Sequence, residues 1–395
     1  MKLRQINDAV SCLGAVDWNR RLFDSLIPLP DGTSYNAYLV RGTEKTALVD
    51  TADPAKTELL MDQLAGVDRI DYLVANHAEQ DHSGTIPHVL QRYPDAVLLA
   101  TPKGKGMLVD LLCVPEERIR AVEDGETVSL GGKTLEFLYT PWVHWPETMS
   151  TYLPEDGILF SCDFFGSHYA TTDLFAHDKA TVYEAAKRYY AEIMMPFRPT
   201  IRKNLEKVKG RDVQLIAPSH GPLYDDPGFI IQAYEDWVSE DVKNEVVLPY
   251  VSMHGSTERM VLHLTNALAE KGVTVRLFDL AVTDLGKLAI ALVDAATLIV
   301  GTPTVHVGPH PAVFYASHLA NCLRPKLRYA SIIGSYGWSS QAIERIAQLI
   351  PNLKVELLDP VVCRGYPREK DLQALDALAE AVAAKHRECA STGRG

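Results

Sequence analysis

Residues 76–84 read NHAEQDHSG and set His77, Glu79, Asp81 and His82 within six positions. Imidazole and carboxylate donors gathered this closely have few uses besides holding a metal ion. Other donors recur downstream in one repeated context. The run IDYLVA ends just before His77, TLEFLYTPWV just before His144, GILFSC just before Asp163 and VQLIAPS just before His220. Each run is short and apolar, as a β-strand would be, so one edge of a sheet would present all of these donors. Random histidines would not be expected to keep that pattern. His88, His168, His177, His263, His318 and His386 stand outside it and read as packed or surface residues.

A second set of residues suits a phosphorylated ring. SMHGSTER at 252–259 lies between a strand-like and a helix-like segment. Ser252, Ser256 and Thr257 offer hydroxyls, Gly255 allows close backbone approach, and Met253 and His254 complete the loop. The N-terminus of the following helix attracts a phosphate dianion. A plain Ser/Thr helix cap is the competing reading. The loop resembles the flavodoxin loop that holds the phosphate of FMN, and no G-x-G-x-x-G suggests a dinucleotide fold. Two later loops follow strand-like runs: GTPTVHVG at 301–308, with Pro303, Thr304, Val305 and His306, and GSYGWSS at 334–340, with Ser335, Tyr336, Gly337 and Trp338. They fall where flavodoxins enclose the isoalloxazine ring. Tyr336 and Trp338 would flank the ring while backbone N–H groups address its polar edge; turn glycines with core aromatics are the alternative.

Positioning these donors asks for two kinds of sheet. In the first half TSYNAYLVRG and KTALVDTA form a hairpin around Gly42-Thr43, and GETVSLGGKTLEFLYT another around Gly131-Gly132. The GGKT at 131–134 sits between strand-like runs and lacks the earlier glycine of a phosphate loop, so it reads as a turn. From about Glu245 strands alternate with helices, which implies a parallel sheet with crossover helices. The helical PGFIIQAYEDWVSEDVKN closes the first domain, giving domains at 1–245 and 246–395, and the closing STGRG reads as a frayed tail. A chain of 395 residues has room for two full cores. Its net charge of −12 argues against a nucleic-acid partner. Cysteines 12, 113, 162, 322, 363 and 389 contain no C-x-x-C pair, so reduced, mostly buried thiols are expected. No apolar run is long enough to span a bilayer, and the N-terminus lacks the apolar core of a signal peptide. A cytoplasmic location without membrane attachment is the expectation.

H-x-E-x-D-H followed by His, Asp and His at strand ends resembles the metallo-β-lactamase superfamily, with Asp50 of LVDTA in its usual supporting place. Hydrolytic members usually carry histidine where this chain has Glu79. A carboxylate there makes the site harder and more anionic, which suits iron better than zinc. With the flavodoxin-like loops downstream, the chain is identified as a member of the flavodiiron proteins. The resemblance extends to AVDWN at 15–19, GTSYNAYLV at 32–40, HWP at 144–146, RYYAEIMMPF at 188–197, APSHG at 217–221 and SYGW at 335–338. It implies an α/β chain in which an N-terminal αββα sandwich precedes a flavodoxin-like doubly wound parallel sheet. It also implies a non-haem di-iron centre and FMN. One iron would take His77, Glu79 and His144, the other Asp81, His82 and His220, with Asp163 bridging. His82 is turned away from the metal in some members. Tyr190 or its neighbour Tyr189 would stand near the substrate pocket. The implied reaction reduces dioxygen to water, nitric oxide to nitrous oxide, or both. The implied assembly is a head-to-tail homodimer, or a dimer of such dimers, that brings each flavin beside its partner's irons. Because the chain ends after the second domain, an external rubredoxin or a reduced deazaflavin is the expected donor.

Two departures stand out. Asp24 follows Phe23 where the family often has histidine, which bears on proton supply and on the balance between O₂ and NO. His306 and Val307 replace the usual asparagine pair of the first flavin loop, which bears on the flavin's hydrogen bonds and potential. The rival readings are a zinc hydrolase with an appended flavodoxin-like domain and a non-enzymatic FMN carrier.

Overall fold

The structure, a computed structural model, describes residues 3–392. Two compact units divide the chain: residues 1–190 with 197–238, and residues 191–196 with 239–395. Among the described residues no helix is long and apolar enough to cross a membrane.

In the first unit β1 (Arg4–Gln5), β2 (Val10–Asp17), β3 (Thr33–Arg41), β4 (Thr46–Val49), β5 (Tyr72–Val74), β6 (Val97–Ala100) and β7 (Ile119–Ala121) lie side by side in that order. The first three pairings are antiparallel and the last three parallel. A second sheet orders β8 (Thr127–Ser129), β9 (Thr134–Tyr139), β10 (Met149–Leu153), β11 (Ile158–Cys162) and β12 (Leu215–Pro218), with only the last pairing parallel. Successive side chains of a strand point to opposite faces, and the sequence alternates to match. Val10, Cys12, Tyr38, Val40, Ala47 and Val49 pack with Phe137, Phe160 and Leu215 between the two sheets. Leu13, Ala15, Tyr35, Ala37, Leu39 and Leu48 turn outward onto Leu60, Ile86, Val89 and Leu108 of covering helices. On the far side the helix Arg198–Lys209 is tied to the second sheet. Asn204 Nδ2 donates to the Pro141 carbonyl, and Lys207 Nζ to the Tyr139 carbonyl, both at 2.8 Å. The αββα layering expected from the motif is therefore present.

Both expected hairpins form. The Gly42 N–H donates to the Lys45 carbonyl at 2.9 Å, and the Leu130 N–H to the Lys133 carbonyl at 2.8 Å. Gly131 and Gly132 have φ of 80° and 69°, the left-handed pair that a two-residue type I′ turn requires.

In the second unit β13 (Lys243–Tyr250), β14 (Thr274–Asp279), β15 (Ala295–Val305), β16 (Tyr329–Tyr336), β17 (Glu356–Leu357) and β18 (Val361–Arg364) form one parallel sheet. Its order is β14-β13-β15-β16-β17, with β18 also on β16. This flavodoxin-like order reverses direction between β13 and β15, where the strand ends leave a ligand crevice. Val246, Leu248 and Ile333 pack under Met260, Leu264 and Leu268 of the helix Ser256–Glu270 and under Leu375 and Val382 of the helix Glu369–Thr392. Thr392 of the tail expected to fray closes that helix, and residues 393–395 lie outside the described residues.

Candidate functional site

The predicted donors converge at the C-terminal ends of β5, β9, β11 and β12. His77, Glu79, His144 and Asp163 form one group and Asp81, His82 and His220 a second, the donor atoms within each lying within 4.8 Å of one another. Glu79 Oε2 is 3.1 Å from His77 Nε2 and 2.9 Å from His144 Nε2. Asp81 Oδ2 is 3.1 Å from His220 Nε2 and 3.3 Å from His82 Nε2. Asp163 stands between the groups. Its Oδ2 lies 3.5 Å from both His77 and His144, while its Oδ1 lies 2.9 Å from His82 and 3.5 Å from His220.

These atoms are buried. The buried oxygens of Asp81 and Asp163 face imidazole nitrogens of the cluster, and His82 Nδ1 is enclosed without a hydrogen-bond partner among the described residues. Gathering several buried carboxylates is costly unless positive charge meets them, so the cluster calls for cations. The protonation pattern agrees. Burial penalises charge on Asp163, yet His82, His77 and His144 hold its carboxyl well below the carboxylate range. Burial also opposes a charged His82, but Asp163 and Asp81 push it up to about 9. Without metal, protons on imidazole neutralise the carboxylates; divalent cations do the same with more charge. The N/O donor set fits two such ions, and Glu79 adds the hard oxygen that favours iron.

Supporting contacts aim the ligands. His77 Nδ1 is 2.7 Å from Glu147 Oε1, which also accepts the Ala78 N–H at 3.1 Å. His220 Nδ1 is 2.7 Å from the Ser34 carbonyl. A carboxylate or carbonyl behind a histidine fixes its tautomer and orientation. Asp50 accepts from both the backbone and the side-chain amide of Asn76 at 2.9 Å, pinning the end of the strand before His77. Glu147 was not foreseen. Its signal was present in HWPE, three residues beyond His144, but no rule from spacing alone separates it from a surface glutamate.

Of the two tyrosines expected near the pocket, only one faces the cluster. Tyr190 turns away: its hydroxyl donates to the Trp237 carbonyl at 3.2 Å and its ring packs on Tyr234 and Trp237. Tyr189 faces the cluster, its ring 5.8 Å from that of His220, and burial and the Asp163 charge hold its hydroxyl protonated. Consecutive residues on a helix point about 100° apart, so only one of the pair can face the cluster. His168, expected to be an ordinary packed residue, is indeed buried, but against the cluster: its ring lies 4.7 Å from that of His220 and its Nδ1 2.9 Å from Thr33 Oγ1. Burial first, and then His220, keep it neutral. Asp24 sits exposed on a tight turn; partial desolvation and the charges of Glu79 and Asp81 raise its carboxyl pKa.

In the second unit the three flavin loops meet at the crevice between β13 and β15. The helix Ser256–Glu270 begins at Gly255, φ 79°, with no side-chain cap and open space where a Cβ would stand. Ser252 Oγ accepts the Glu258 N–H at 3.2 Å. Thr257 Oγ1 lies 3.3 Å from Ser335 Oγ and Thr304 Oγ1 2.9 Å from Ser340 Oγ, linking the loops to one another. Met253 and His254 are exposed beside Gly255, and Pro303 and Thr304 carry β15 to its end at Val305, just before His306. Tyr336 is half-buried, and Trp338 beyond Gly337 is 80% exposed with no ring packed on it among the described residues. A helix N-terminus capped only by Ser252, at a switch point and beside an exposed indole, fits a phosphate-bearing ring.

The family described as "ODP family beta lactamase" matches residues 33–221. A nitric oxide reductase of Moorella thermoacetica is 37% identical, over 96% of this chain and 98% of that protein. A coenzyme F420H(2) oxidase of Methanothermobacter marburgensis is 34% identical, over 88% of this chain and 89% of that protein. Among solved structures, rubredoxin oxygen:oxidoreductase from Desulfovibrio gigas aligns with a TM-score of 0.94 at 30% identity, covering 98% of this chain and 99% of that one. The flavodiiron protein from Giardia intestinalis aligns with a TM-score of 0.91 at 26% identity, covering 99% and 98%.

Proposed function

Because the chain belongs to the flavodiiron (type A flavoprotein) family, we propose that it reduces dioxygen to water, nitric oxide to nitrous oxide, or both, with electrons entering through FMN. The observation that carries this reading is the pair of buried histidine and carboxylate donor groups with Asp163 standing between them. His77, Glu79 and His144 would hold one iron and Asp81, His82 and His220 the other, with Asp163 shared. Iron held there would supply the redox chemistry toward the gas, and FMN held in the second unit would supply the electrons. The protein's own residues do the rest. Glu147 and the Ser34 carbonyl keep two imidazoles aimed. Tyr189 keeps a proton beside the cluster at neutral pH, and Asp24 offers a second proton-carrying group. Phe23 and the neutral His168 wall the same side and exclude water.

The assembly that would bring flavin and metal together is a head-to-tail homodimer in the cytoplasm, supplied by a rubredoxin or a reduced deazaflavin. The deciding experiment reduces the iron- and FMN-loaded protein anaerobically and follows O₂ and NO consumption separately. Consumption of either gas supports the reading, and inertness toward both would sink it.

A further inference from the structure

One imidazole beside the cluster belongs to neither donor group and has a nitrogen to spare. His168 closes the segment DFFGSH that begins at Asp163, and it is 4% exposed. Its Nδ1 lies 2.9 Å from Thr33 Oγ1, whereas its Nε2 is enclosed without a hydrogen-bond partner among the described residues. A buried polar nitrogen is normally paired, so this one points to a partner supplied from outside the chain.

The packing shows which way that nitrogen faces. The two nitrogens lie on opposite flanks of the ring, so holding Nδ1 on Thr33 turns Nε2 away from that strand. The rings around His168 are Phe23 at 5.0 Å, Tyr189 at 4.8 Å and His220 at 4.7 Å. Tyr189 and His220 both flank the cluster. The charges that act on His168 are those of His220, Asp163, His82 and Glu79, drawn from both donor groups. The Thr33 hydroxyl has one hydrogen to give. Its contact with Nδ1 is 2.9 Å, against 3.3 Å to the Ser34 carbonyl, which already accepts from His220 Nδ1 at 2.7 Å. Giving that hydrogen to Nδ1 leaves the neutral ring's own proton on Nε2.

We propose that His168 is a hydrogen-bond donor to the small molecule taken up beside the metals, its Nε2–H meeting the end that gains negative charge. This goes beyond excluding water. A fixed neutral donor stabilises charge as it develops, and no bond within the protein is made or broken. The proposal rests on the two-metal reading of the cluster, and the test separates the two.

The probe is azide, a small anion, added to the oxidised iron- and FMN-loaded protein. Iron content, the azide dissociation constant and the position of its infrared band are read together. Wild type should hold two irons per chain and bind azide. Fewer than two irons would overturn the two-metal reading, and two irons without azide binding would overturn the donor role. His168→Leu should keep both irons, shift the band and weaken azide about tenfold or more, the loss expected of a hydrogen bond to a charged group. His168→Gln, whose amide still donates, should recover most of that affinity. Loss of iron or unchanged azide binding in the leucine variant, or a glutamine variant as weak as leucine, would refute the donor. Should the leucine variant fail to fold, Thr33→Val takes its place: it removes the hydrogen that sets the tautomer and should likewise weaken azide.

Discussion

Glu147 and Tyr189 show how single atoms behind the donors govern the site. Glu147→Gln keeps the shape but removes the charge that His77 Nδ1 leans on at 2.7 Å. Losing such a partner typically costs about 10–100-fold in metal affinity, and chelator competition should show a loss in that range. Tyr189→Phe should slow gas reduction while leaving folding intact, as measured by turnover and thermal midpoint. Tyr190→Phe should do the reverse: the lost bond to the Trp237 carbonyl costs about 0.5–1.5 kcal/mol of stability, with turnover unchanged. The donors were legible in sequence because each follows an apolar run. The choice between adjacent tyrosines was not, because it depends on the rotation of one helix against the sheet.

At the scale of elements the two tight hairpins contrast. Gly131-Gly132 announces its turn, and the structure places a type I′ turn there. His306 and Val307 adopt the same left-handed pair, with φ of 48° and 69°, between Val305 and Gly308, which pair across the hairpin. Neither a histidine nor a valine announces a tight turn in the sequence, so the strain is visible only in the backbone. The usual asparagine tolerates this backbone, whereas a β-branched residue is a steric outlier. Val307→Gly should therefore stabilise the FMN-free protein by about 1 kcal/mol, read from its urea midpoint. A second consequence concerns pH. His386 is buried between Thr297 Oγ1 and Asn244 Oδ1, each 2.7 Å away, and burial lowers its pKa below 6.5. Below about 6.5 the unfolded chain takes up a proton that the folded unit refuses. Stability from this residue is complete above that pH and falls as the solution becomes more acidic. Urea midpoints at pH 8 and pH 5.5 should show the drop, and His386→Gln should flatten it.

On the proposed reading the two units would carry different ligands, so their stabilities should respond separately. Stripping metal leaves only imidazole protons to offset the buried carboxylates of Asp81 and Asp163 and should lower the melting of the first unit. Stripping FMN should lower that of the second. A ligand at 1,000 times its dissociation constant contributes about 4 kcal/mol, a shift that calorimetry resolves. The order of the units was readable from the change in strand grammar near Glu245. The state of His82 was not, because motif spacing says nothing about what stands behind a ring.

The donors at strand ends also set an order of events during synthesis. They run from His77 on β5's loop to His220 after β12, in two different sheets. No short stretch of the emerging chain holds a complete set, because Asp81 and His82 wait for His220. On the proposed reading metal would enter a pocket already walled by both sheets, and supply of the ion, rather than folding, would be the last step in maturing this site.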